Sequence, residues 1–215
     1  DTASVQRPNT KDYHLNNDLS DQAIAMIQSR SGAPTRAPFF MYYSTGTAHA
    51  PHHAPKVWLD RYKGKFDMGW DKAREEILKR QIKAGILPAS SKLAPMPEGV
   101  PAWNSLNADQ KRLYARQMEA FAAALSHADE QFGRVLDALQ ASGELDNTIV
   151  VVTSDNGASA EGALSGTYNE MAALNGRPAT DAENMRFIDQ WGGPETFPHY
   201  AVGWTVAGDT PSTSA

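Results

Sequence analysis

Thr148-Ile-Val-Val-Val-Thr153 is β-branched at every position and runs directly into Ser154-Asp155-Asn156-Gly157. Two heavy atoms on each Cβ stiffen χ1 and favour extended chain, and a run that is apolar on both faces suits a strand covered by helices on each side. Ahead of it, Leu113, Met118, Phe121, Leu125, Phe132, Val135, Leu136 and Leu139 recur mostly every three or four residues. That period predicts a long amphipathic helix. Asn107 followed by Gln110 resembles a capping box at its start, and Gly143 stands where helices commonly end. A helix leading into a buried strand predicts the α/β class.

Working outward, Phe39-Phe-Met-Tyr-Tyr-Ser44 is a compact aromatic run bounded by turn formers and predicts a second buried strand. Leu19 to Ser29 has helical spacing, with Asp18 or Ser20 available as a cap. From Thr45 to Pro55 the Gly, His and Pro content predicts an ordered loop leaving the strand. Asp71 to Ala84 reads as a charged surface helix stopping near Gly85, and the proline-rich stretch from Ile86 to Trp103 as a long wrapping connection. Beyond Ser154 the pattern fades, apart from a short helix around Asp181 to Gln190 and a small, polar stretch from Gly208 to Ala215. There is no internal repeat.

Composition narrows the function classes. The 215 residues are 41% hydrophobic and 21% charged, with a formal net charge of -5. No dense Lys/Arg block is present, which argues against a nucleic-acid or anionic-membrane partner. Cysteine is absent, so disulfides, thiolate metal sites and a cysteine nucleophile are excluded within these residues. No apolar run approaches the length of a membrane span. The compartment stays open, and so does the oligomeric state.

Two clusters have side chains suited to chemistry. Ser154-Asp155-Asn156-Gly157 is placed at the carboxyl end of the apolar strand, where ligands gather in open α/β sheets. Asp and Asn oxygens suit a hard cation, while Asn-Gly is equally a common turn signal. Both readings stand on spacing alone. The other cluster is His49, His52 and His53. Three imidazoles so close suggest zinc, but the flanking prolines extend the backbone and no further ligand is marked. A single catalytic or anion-facing histidine fits better, against the plain alternative of an exposed loop residue.

These blocks in this order resemble the type I sulfatases. Phe39 to Ser44 leads to His49-Ala-Pro51, then His53-Ala-Pro-Lys56 and Asp60-Arg-Tyr-Lys-Gly-Lys-Phe-Asp67, similar to the family's central block. Gly143-Glu-Leu-Asp-Asn-Thr148 and Ser154-Asp-Asn-Gly-Ala-Ser-Ala-Glu-Gly162 resemble its second metal-ligand segment. Gly166-Thr-Tyr-Asn-Glu-Met171 and His199-Tyr-Ala-Val-Gly-Trp204 extend the likeness to the bacterial arylsulfatases.

The resemblance implies an α/β/α sandwich of the alkaline-phosphatase type, of which residues 1–215 are the central part. It implies hydrolysis of a small-molecule sulfate ester, with Asp155 and Asn156 as Ca²⁺ ligands and His49 near the ester's leaving oxygen. It also implies a formylglycine nucleophile made from Cys/Ser-x-Pro-x-Arg, which these residues lack. The nearest string, Ser31-Gly-Ala-Pro-Thr-Arg36, has Gly32 at the modified position. The amino-terminal nucleophile segment and a carboxy-terminal portion are therefore expected in a longer parent, with these residues inactive alone. A phosphodiesterase or phosphonate hydrolase of the same superfamily is the nearest rival, and a non-catalytic protein binding sulfated ligands is another.

Overall fold

The computed structural model describes residues 4–32 and 37–212. These are helical and irregular, and two compact units emerge from the contacts. Among the described residues no helix is long and apolar enough to cross a membrane.

The first unit comprises residues 1–46 and 126–151. Helix α1 (Leu15–Ser31) starts earlier than the spacing predicts, because His14 caps it: its Nδ1 accepts from Asn16 N at 3.2 Å. Asp18 and Ser20 lie inside the helix. Ser20 is buried, and its hydroxyl donates to the Gln131 carbonyl at 3.1 Å. Ala23 and Ile27 of α1 meet Val135 and Leu139, with Met41 and Tyr43 packed against them.

The second unit comprises residues 47–125 and 152–215. It contains α2 (Lys56–Tyr62), α3 (Gly69–Lys83) and the first part of α4 (Ala108–Ala141). After these come α5 (Glu170–Leu174), α6 (Asp181–Met185) and α7 (Val202–Gly208). Its core is aromatic. Trp70 sits edge-on to Trp103 at 4.8 Å and to Trp204 at 5.8 Å between ring centroids. Two of the buried indoles are satisfied, Trp70 Nε1 donating to Pro101 O at 3.1 Å and Trp204 Nε1 to Tyr114 O at 2.7 Å, whereas the N–H of buried Trp191 has no partner among the described residues.

The long helix matches expectation at both ends. Asn107 Oδ1 accepts from Gln110 N at 2.9 Å while Asn107 N donates to Gln110 Oε1 at 3.1 Å, a reciprocal box. Gly143, with φ of 70°, follows its last turn. The helix over 71–84 and its stop at Gly85, the wrapping connection over 86–103 and the short helix near 181 are also present.

Both expected strands are corrections. Residues 39–44 and 148–153 are irregular, and among the described residues there are only two isolated bridges and no strand. Phe40 and Ile149 are each 92% exposed, so neither run is buried. A strand is stable only when a neighbouring chain takes its N–H and C=O groups, and here neither run has a ladder partner. The α/β layering expected from the sequence is thus not displayed by the described residues.

Candidate functional site

All the residues singled out for chemistry belong to the second unit. Residues 47–55 are pinned against residues 192–198, with His52 N donating to Pro198 O at 3.2 Å and Ala54 N to Gly192 O at 3.1 Å. The three imidazoles separate as the prolines imply. His52 is buried, stacked on Tyr200 at 5.0 Å, and burial pushes its pKa well below the ordinary histidine value. His53 Nε2 donates to Thr196 O at 2.6 Å.

His49 alone faces outward, with a side chain 68% exposed. Its Nδ1 donates to the Ala50 carbonyl at 2.8 Å, which leaves Nε2 as the free lone-pair nitrogen of the neutral ring. Nε2 lies 3.9 Å from Glu161 Oε2. The bond to Ala50, then the carboxylates of Glu170, Glu161 and Asp155, hold the His49 pKa above the ordinary value.

Asp155 and Asn156 lie in an exposed bend. Asp155 Oδ1 accepts from Asn156 N at 3.1 Å, and Ser154 Oγ donates to Asn156 O at 2.7 Å. The following residues tie this loop to α7. Asp209 Oδ1 accepts from Ala158 N at 2.8 Å, and Thr205 Oγ1 donates to Ser159 O at 2.6 Å. Gly157 lets Asp209 come close: a Cβ there would stand 2.6 Å from Asp209 Oδ1, so the carboxylate would have to shift. The loop therefore hangs from a helix end rather than from a strand end.

Beside His49 is a group to which sequence spacing assigned no role. One ligand atom each from Glu161, Glu170 and His199 lies within 4.8 Å of the others. Backbone pairing brings two of them together: Thr167 and His199 exchange N–H···O bonds at 3.0 and 2.9 Å, and Glu170 N donates to Phe197 O at 2.9 Å. Gln117, buried on α4, clamps both segments by donating to Ser165 O at 2.8 Å and accepting from Ala201 N at 2.9 Å. Glu161 reaches them because Gly162 is bare: a Cβ would meet Tyr200 O at 1.9 Å. Ala163 beside it has a φ of 53°, the left-handed region.

Nothing in the linear order marks this group, since His199 is remote from both glutamates. The bare Gly162 and the backbone pairs are tertiary facts. Conversely, the expected partners His49 and Asp155 are close enough for the Asp155 charge to act on His49.

Comparison with known proteins supplies a family. Residues 2–189 match the sulfatase family profile. The chain is 30% identical over 209 residues to an uncharacterised sulfatase of Schizosaccharomyces pombe, covering 97% of this chain and 36% of that protein. It is 30% identical over 125 residues to an arylsulfatase of Klebsiella aerogenes, covering 58% of this chain and 27% of the relative. To an arylsulfatase of Clostridium perfringens it is 28% identical over 155 residues, covering 68% and 27%. The chain thus spans about a third, or less, of the length of these relatives.

Proposed function

Because the chain belongs to the sulfatase family, we propose that its full-length parent hydrolyses sulfate esters and that His49, Asp155 and Asn156 are this chain's share of the active site. The observation that carries the reading is the posture of His49: Nδ1 is committed to Ala50 O while Nε2 points outward beside a carboxylate. A ring held so has one nitrogen available and a raised proton affinity, as a leaving-group acid needs. When the S–O bond to the alcohol breaks, Nε2–H passes its proton to the departing oxygen.

Asp155 and Asn156 fit Ca²⁺ in donor chemistry, since both present side-chain oxygens on an exposed bend. They are two of the roughly six to eight oxygens that such an ion takes, the remainder coming from water and from other parts of the parent. When bound, the ion supplies positive charge to the sulfate and its attacking nucleophile. The nucleophile itself is formylglycine in this reading, outside these residues. The alkaline-phosphatase-like sandwich belongs to the same proposal: residues 39–44 and 148–153 become strands once ladder partners are available.

The two roles separate experimentally in the complete parent. His49→Ala should lower turnover on the order of 10²- to 10⁴-fold for esters of weakly acidic alcohols, and much less for very acidic phenols that leave without a proton. Wild-type rate should fall as pH rises through the raised His49 pKa, since the acid must hold its proton. Asp155→Ala should instead be partly restored by added Ca²⁺. Equal His49→Ala losses across leaving groups would reject the acid role, and Ca²⁺ rescue of that variant would reject the division of roles.

A further inference from the structure

A carboxylate buried without a partner is costly, because the charged form loses its hydration and gains nothing in exchange. Glu170 is in that position. It is 3% exposed, and its Oε1 has no hydrogen-bond partner among the described residues. Two things would compensate its charge: a proton on the carboxyl group or a cation between the three side chains.

The neighbouring imidazole favours a cation. His199 is fully buried, and its Nδ1 donates to Tyr200 O at 3.0 Å, so Nε2 bears the lone pair. A ring nitrogen anchored to a carbonyl with the other nitrogen facing carboxylates is the usual posture of a metal-bound histidine. At present Nε2 meets Ser159 Oγ at 3.1 Å, and the same hydroxyl is 3.3 Å from Glu161 Oε2. Nε2 opens to a metal when the Ser159 side chain swings aside, since its oxygen now stands beside that nitrogen.

We propose that Glu161, Glu170 and His199 bind a Zn²⁺ ion, at a site separate from Asp155 and Asn156. An imidazole with two carboxylates suits a borderline metal such as zinc and is foreign to Ca²⁺, which takes oxygen. Three protein donors leave a fourth, open position of the kind found in zinc sites that act on ligands. Tetrahedral zinc holds its donors roughly 3.4 Å apart, so the group must close from its present limit of 4.8 Å. Glu170 and His199 are fixed by backbone pairing. Exposed Glu161 is the arm that moves. Neither the identity of the reaction nor the calcium ligands enter this assignment.

The test is equilibrium dialysis of the 215-residue chain against Zn²⁺, with bound metal measured directly and thermal melting followed in parallel. One Zn²⁺ per chain and a raised melting temperature are expected. Glu170→Gln, which keeps the shape and removes the uncompensated charge, should bind at least about tenfold more weakly, and so should the surface variant Glu161→Gln. Circular dichroism of the metal-free variants should match the wild type. Asp155→Asn should keep full zinc affinity. Absence of stoichiometric zinc, or binding that survives both glutamine variants, overturns the proposal. Loss of zinc in Asp155→Asn comparable to that in Glu170→Gln overturns it as well, by placing the ion at the other site.

Discussion

His127 lies edge-on to His14, with 4.4 Å between ring centroids, and is buried. Burial first, and then the His14 charge, push its pKa down to about 4. The unfolded chain takes up this proton near pH 6.5, whereas the folded chain resists it until about pH 4. Stability is therefore complete above the unfolded value and is lost as pH falls from about 6.5 towards 4. Partial hydration of the cation trims the full linkage, which leaves a loss on the order of 2 kcal/mol. Buried His52 and His199, both with lowered pKa values, add losses of the same sign. Melting His127→Phe between pH 5 and pH 7 should give a shallower dependence than the wild type; an unchanged slope would show that His127 is not a source of acid sensitivity. Its neighbours in the chain gave no hint of this environment, because the ring opposite comes from residue 14.

Among the elements, two helical glycines stand in opposite surroundings. Gly203, the second residue of α7, lies against α3, and a Cβ there would stand 2.4 Å from the Trp70 ring. Gly133 lies within α4 with nothing inside 4 Å of the same position. Alanine is favoured over glycine in a helix interior by up to about 1 kcal/mol, whereas forcing a methyl into a rigid core costs about 1 to 3 kcal/mol. Gly203→Ala should thus lower the denaturation midpoint, and Gly133→Ala should leave it unchanged or raise it. A matching response from both would contradict the packing around Trp70. The long helix itself was legible because its stripe, capping box and terminal Gly143 are local signals that agree. Short α5 and α7 were not, since their burial is imposed by neighbours rather than by any period of their own.

Across the whole molecule, the exposed run at 149–152 is the principal hazard. Ile149 is 92% exposed and Val151 and Val152 are 79% exposed, an apolar β-branched run that belongs to no sheet among the described residues. Such a run pairs with other chains, so light scattering should show concentration-dependent association. Val151→Lys should reduce it by placing a charge on the edge, while equal scattering from both chains would locate the contact elsewhere. The sequence by itself determined the family, the helices with strong periods, and the order of the His49 and Asp155-Asn156 motifs, because side-chain type and short-range spacing encode all of these. Only the tertiary structure decided that the β-branched run lies open, since a strand depends on partners that its own residues cannot supply. It alone also brought Glu161, Glu170 and His199 together, through backbone pairing and a bare Gly162 that allow distant segments to approach more closely than any sequence spacing records.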